Sequence, residues 1–339
     1  SSMRERIVSC GGEVRFQCRV TGVDRDASGA AQGALTAEGR VAAAAVVVAT
    51  GHGARGVFEW MQESGLQVAR KPFALGVRIE HPQSWVNVRQ YRLRGEVLAD
   101  DLGLPPAAYS LVTQTEGGGV FSFCMCPGGV IAPCATEDGE VVTNGWSPSK
   151  RNNPWANSGI VTTVSEEDLD AQGHQGALGA LEFQRSVERA CSEAAGGDQR
   201  APAQRLADFV ARRPSKDLPP CSYLSGLTAV DLTSLLPPFI VERLIAGILD
   251  FDRKMPGYIH PDAIVVAPES RTSSPVRMAR DKITLEMEGA PGLYPCGEGA
   301  GYAGGIASAA MDGMRVAEAI AARHGISPDC VGFRLQPEG

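Results

Sequence analysis

The sequence predicts an α/β protein of two textures, and three observations carry that expectation. Short β-branched runs, Val46-Val47-Val48 ahead of Thr50-Gly51 and later Ile264-Val265-Val266, have the pattern of central strands buried on both faces. Between them Leu75/Val77/Ile79 and Phe121/Phe123/Met125 alternate with other residues, separated by glycine-rich turns, as in an antiparallel sheet. Near the end, a glycine-rich run from Gly297 to Gly305 follows a short apolar strand and opens a long amphipathic helix.

The chain of 339 residues is long enough for two domains, or for one domain carrying a large insertion. Apolar residues at 43% and charged residues at 21% are an ordinary globular balance. No run approaches the roughly 18 apolar residues of a membrane helix, so no membrane partner is expected. A net charge of −7 argues against a nucleic-acid partner, because phosphate binding favours a basic surface. The nine cysteines are scattered and odd in number, which fits a soluble protein of a reducing compartment better than a disulfide framework. The first residues contain no signal-peptide core, and residues 3–10 read as the tail of a helix already under way. The chain is therefore expected to start inside a fold.

Taken in order, Gly11-Gly12 ends the opening helix, and Val14, Phe16, Cys18 and Val20 alternate as in a half-buried strand. A turn over residues 24–34 leads to a return strand and then to the valine run. Residues 54–64 are expected to be helical, with Val57, Phe58 and Met61 on one side. After Pro72 the alternating texture begins. Helices are predicted near 177–195 (Phe183, Val187, Ala190, Ala194) and after Pro237-Pro238, where proline suits a helix start. The first texture returns from Asp262. The last helix runs from about Ile306 to Arg323, with Ile306, Ala310, Met314, Ala317 and Ile320 as its expected buried face.

The strongest motif is Cys296-Gly-Glu-Gly-Ala-Gly-Tyr-Ala-Gly-Gly-Ile306, which holds a literal G-x-G-x-x-G at Gly299, Gly301 and Gly304. Glycines let backbone N–H groups approach an anionic or carbonyl-bearing ligand, and a helix N-terminus adds partial positive charge. A dinucleotide fingerprint, however, begins a βαβ unit, and only a short proline-containing tail follows this helix. A cofactor contact at a closing helix fits better; the alternative is a tight turn that serves packing alone.

The sequence resembles the family of uncharacterised FAD-dependent dehydrogenases (NAD/FAD-utilising) within the glutathione-reductase-like flavoproteins. The resemblance is carried by Lys71–Gln83 (KPFALGVRIEHPQ), Phe121–Gly129 (FSFCMCPGG) and Val142–Gly145 (VTNG). It continues through Ala201–Gln204 (APAQ), Phe251–Arg253 (FDR), Arg271–Arg277 (RTSSPVR) and Leu293–Gly305 (LYPCGEGAGYAGG), so matches in this order span about residues 3–323. It implies an incomplete FAD/NAD(P)-binding Rossmann-like domain with an inserted β-rich α+β substrate domain. The expected layout is 1–70 and 261–325 for the FAD-binding domain, 71–260 for the insert, and 326–339 as a tail.

By that resemblance FAD is the cofactor, contacted by Thr50, Gly51, Gly297, Glu298, Gly299, Gly301, Gly304, Gly305 and Ile306. Val46 to Gly51 matches the strand-ending element beside the dinucleotide. Glu298 stands where the wider group usually has aspartate holding the ribityl hydroxyls, and residues 304–306 bring helix N-terminal amides to the flavin N1–C2=O edge. The family's early glycine-rich pyrophosphate motif has no counterpart before residue 297. The implied activity is FAD-dependent oxidation or reduction of a small-molecule substrate by hydride transfer at flavin N5, with transient NAD(P)H as a further partner. The alternatives are an FAD-binding protein of RNA-modifying type, which the acidic charge disfavours, and a truncated, non-catalytic remnant or scaffold.

Candidate catalytic groups are Arg271, Ser273 and Ser274, in a donor-rich loop expected beyond a strand end. Cys124 and Cys126, two apart on one strand face, read as core cysteines, as a redox pair, as two cysteines beside the flavin, or as half a metal site; with no second cysteine/histidine cluster, no metal is assigned. His52 and His81 read more readily as structural or exposed than as bases, and His174, His260 and His324 have no distinctive context.

Overall fold

The structure, a computed structural model, describes residues 2–94 and 99–326. The chain divides into two compact units, Ser1–Ala69 with Val276–Gly339, and Arg70–Pro275. In the described residues no helix is long and apolar enough to cross a membrane.

The first unit opens with the helix Met3–Ser9, whose start is fixed by a capping box between Ser2 and Glu5. A three-stranded antiparallel sheet follows, Val20–Arg25, Ala31–Thr36 and Gly39–Ala42. Val46–Val48 then pairs in parallel with Leu293–Pro295. The helix Arg55–Glu63 buries Phe58 and Met61, and Ile306–Arg323 closes the unit. A small apolar cluster of Leu285, Tyr294, Cys296 and Val316 lies beneath that last helix.

Three sequence expectations change in this unit. Residues 14–19 are not a strand: Gln17 takes a left-handed φ of 55°, the described ladder begins at Val20, and Phe16 is 70% exposed. Alternation by itself makes no strand, because a strand needs a neighbour to satisfy its backbone. Val47 is 46% exposed, so the valine run is buried on one face rather than two. The closing helix buries Asp312, Val316 and Ala321, a face rotated from the expected Ile306/Ala310/Met314 stripe. An ion pair at Asp312, described below, sets that phase.

The second unit is built on a seven-stranded mixed sheet. Its order is Leu227–Ala229, Ala201–Arg205, Ile264–Glu269, Phe73–Pro82, Trp155–Val164, Gly118–Cys126 and Val112–Thr115. Every neighbouring pair is antiparallel except Ala201–Arg205 with Leu227–Ala229. The run Ile264-Val265-Val266 is therefore fully buried as expected, but in this antiparallel-paired sheet, with Val266 opposite Arg78. The compact unit that holds this sheet extends to Pro275.

Leu75, Val77 and Ile79 project from one sheet face into a core shared with the helices Gly179–Ala195 and Pro238–Lys254, through Phe183, Val187, Leu244, Ile248 and Phe251. Each such side chain stabilises the fold by about 1.5–3 kcal/mol when fully buried. Gly247 is required where the second helix crosses the sheet, since a side chain there would press on Val120. Alternation puts Gly76, Arg78 and Glu80 on the opposite face. The strand pair Val130–Pro133 and Thr143–Trp146 packs there, with Gly145 against Arg78. A polar layer thus lies buried behind an apolar one.

Candidate functional site

In the first unit the strand Leu293–Pro295 delivers the chain into the glycine loop, and the Cys296 N–H donates to Val48 O at 2.9 Å. A side chain at Gly299 would meet the Gly51 backbone at 2.5 Å, so the loop and the Thr50-Gly51 element touch backbone to backbone. Gly51, Gly297 and Gly301 have φ of 71°, 75° and 85°, conformations that favour glycine. The structure therefore brings Thr50, Gly51, Gly297, Glu298, Gly299 and Gly301 into one neighbourhood. Glu298 Oε1 stands 3.6 Å from His52 Nδ1, with both side chains partly exposed. His52, read from sequence as more readily structural, is thus beside the loop's acid.

Gly304 and Gly305 lead into the 18-residue helix Ile306–Arg323, whose N-terminus carries no side-chain cap on its helical amides. Among the described residues, nothing beyond the neighbouring residues of the chain lies within 4 Å of the side-chain position at either glycine, and Ile306 is 94% exposed. The approach to these amides is open. Since a helix N-terminus presents unsatisfied donors and about half a positive charge, this end suits a carbonyl-bearing or anionic ligand edge.

A fixture that sequence reading missed holds the loop in place. Arg280 binds Asp312 through two hydrogen bonds of 2.6 and 3.0 Å and donates to Pro295 O at 2.6 Å. Asp312 also accepts the Gly297 N–H at 2.8 Å, and the Arg280 guanidinium lies 3.7 Å from the Tyr302 ring centroid. Burial pushes the Asp312 carboxyl up, but the Arg280 and Gly297 hydrogen bonds outweigh it and hold it below the ordinary value. An acid one helical turn before Val316, in the otherwise uncharged stretch of residues 306–314, is the signal that could have found it.

In the second unit Arg271 is committed to the protein itself. It binds Glu188 and Glu140, both fully buried, at 3.0 and 3.1 Å, and donates to Thr136 at 2.6 Å. Substrate binding by this guanidinium would have to break both pairs. Ser274 is fully buried and Ser273 half-buried, so the donor-rich loop is largely internal.

Cys124 and Cys126 do not share a face. One extra residue on their strand, opposite Asn157–Gly159, makes a β-bulge, and Cys124 takes φ 46°. Such bulges re-aim side chains, often beside functional sites. Cys124 is exposed and Cys126 buried, donating from Sγ to Cys124 O at 3.2 Å. Burial pushes the Cys126 thiol up, Arg78 offsetting only part of it, so Cys126 stays protonated at neutral pH.

Beneath the bulge Arg78 is completely buried, with two hydrogen bonds to Glu269 (2.8 and 2.9 Å) and one to Asn157 Oδ1 at 2.8 Å. Asn157 Nδ2 is buried with no partner among the described residues, the kind of orphan that marks strained or functional polar layers. His81 stacks on Trp85 and hydrogen-bonds Tyr258 O at 2.7 Å; burial lowers its pKa to about 4. It is a neutral structural histidine at pH 7. Among the described residues no cluster of His, Cys, Asp and Glu could hold a metal ion.

The second unit coincides with a known family model. Residues 72–272 match the model described as FAD-dependent protein, C-terminal domain-like. The chain is also 41% identical over 323 residues to an uncharacterized protein of Clostridium beijerinckii (strain ATCC 51743 / NCIMB 8052), a match covering 94% of this chain and 59% of the relative. The chain thus spans less than two thirds of that relative's length. On these matches the chain belongs to the FAD-dependent protein family defined by this C-terminal domain, whose cofactor is FAD.

Proposed function

We propose that the chain is the flavin- and substrate-contacting part of an FAD-dependent oxidoreductase of the glutathione-reductase-like group. In this reading the first unit is the Rossmann-like FAD-binding domain and the second is the inserted substrate domain. One observation carries it: the open N-terminus of the helix Ile306–Arg323, reached through two glycines and joined to the loop that bears Glu298.

FAD, when bound, supplies reversible hydride acceptance at N5. Glu298 accepts hydrogen bonds from the ribityl hydroxyls, its longer side chain oriented by His52. The amides that follow Gly305 donate to the flavin's carbonyl edge, where their partial positive charge stabilises the reduced form. Arg280 and Asp312 keep these groups at fixed spacing, which lowers the cost of organising them on binding. Substrate-side chemistry belongs to the second unit, where the bulge exposes Cys124 over the Arg78–Glu269 pair. A small-molecule substrate is the expected partner, with NAD(P)H as a transient electron donor.

The test is the absorbance spectrum of the purified protein after FAD addition, followed by anaerobic titration with NADH and with NADPH. Retained flavin bands that bleach on titration are expected. A protein that stays colourless after FAD addition would overturn the reading.

A further inference from the structure

We propose that the second unit carries a separate binding site for a small organic anion, built between the helix Gln83–Tyr91 and the turn 150–154. A cavity of about 490 Å³ lies there, within the size range of small-molecule pockets. Lys150 and Arg151 lie side by side in its lining with Ser84, Asn87, Asn152 and Asn153, and among the described residues of the lining there is no carboxylate. In a chain of net charge −7, two cations side by side in a cavity, with no acid among its described lining residues, favour a ligand of opposite sign.

The donors are uncommitted. Arg70, Arg78, Arg243 and Arg271 in this unit each hold at least one carboxylate. Neither Lys150 nor Arg151 has a carboxylate partner among the described residues. Ser84, Asn152 and Asn153 make no side-chain hydrogen bond there either. The helix Gln83–Tyr91 begins at Pro82 with no side-chain cap, and Ser84 in its first turn faces the cavity, so the helix adds partial positive charge to the same space.

The walls are held rigidly. Gln83, 6% exposed, donates to Asn87 Oδ1 and Ala107 O at 2.8 and 2.9 Å, and accepts the Gly128 N–H at 2.7 Å. Its own N–H donates to Pro154 O at 2.8 Å. Gly128 seats the turn, since any side chain there would collide with the Arg151 carbonyl. One glutamine thus joins the helix start, both walls and the turn that carries the cations. Val88, Leu93 and Pro106 supply an apolar side. The complementary ligand has a phosphate or carboxylate head and a compact apolar body, and its site is independent of the flavin reading.

Isothermal titration of the whole chain with inorganic phosphate, phenyl phosphate and benzoate at constant ionic strength tests this. Saturable binding of phenyl phosphate is expected, tighter than inorganic phosphate because of the apolar wall; benzoate against phenyl phosphate distinguishes a carboxylate from a phosphate head. Lys150→Gln with Arg151→Asn should weaken binding at least about tenfold, as expected for lost charge-assisted bonds. Asparagine suits the left-handed φ of 47° at position 151, and both positions are exposed, so the variant keeps its fold. No saturable binding of any probe, or equal binding by the variant, overturns the proposal.

Discussion

The two units solve stability in opposite ways. The second buries a continuous apolar core running from Phe73 to Ala267 under one sheet face, and on the other face it buries the paired charges of Arg78 and Glu269. The first buries Phe58, Met61, Leu66 and Met278 besides the small cluster around Tyr294, leaves Ile306, Met311 and Val47 exposed, and adds a buried ion pair and backbone contacts at glycines. A ligand that binds either folded unit stabilises it by mass action, and in the first unit the open glycine loop is where such a ligand would act.

Breaking the buried pair of the second unit should have the largest effect. Arg78→Met strands Glu269 without a partner and should cost about 3–5 kcal/mol in denaturant unfolding. Arg78→Met with Glu269→Leu should recover most of it, since a buried pair replaced whole is close to neutral. If the double variant is as unstable as the single one, packing at Arg78 rather than charge decides the layer.

Acid should next weaken the same unit through His81. Its folded pKa of about 4 lies below the unfolded value of 6.5. The unfolded chain therefore takes up a proton that the folded protein refuses, so stability is full above pH 6.5 and falls as pH drops toward 4. The loss amounts to roughly 3 kcal/mol. Unfolding followed across this range should show that slope, and His81→Gln should flatten it.

In the first unit Asp312→Asn should cost about 1.5–3 kcal/mol, the worth of a hydrogen-bonded charge. The folded Asp312 pKa is depressed, so its contribution is present above the ordinary aspartate value and is lost as pH falls through the folded one. Thermal unfolding should show the loss in the first unit's transition and spare the second; a shift of both would remove the contrast between them. Smallest is Glu298→Ala, expected to weaken FAD binding about tenfold, or about 1.4 kcal/mol, with little change in the protein without FAD. Unchanged FAD affinity would contradict the ribityl role.

Much of this architecture was legible. The helices over residues 55–63, 179–195, 238–254 and 306–323 and the strands at 73–82 and 264–269 lie where periodicity placed them. The glycine loop was found because positive φ and backbone-to-backbone approach demand glycine, a demand written into composition. The Arg280–Asp312 fixture was missed because its partners are separated by a strand and a loop and neither sits in a motif. The pairing of Arg271 was not legible for the same reason, since the two glutamates that bind it lie far away in sequence.

The sequence by itself determined the type of each element and the residues at which the backbone must turn tightly, because dihedral preference and side-chain period are local properties. Only the tertiary structure decided that Ile264-Val265-Val266 pairs against Phe73–Pro82, that Asp312 sets the buried face of the last helix, and that a bulge parts Cys124 from Cys126. Each of those depends on a neighbour far along the chain. A buried valine run reads the same whichever strand it lies against, and a carboxylate reads as solvated until its arginine is in place.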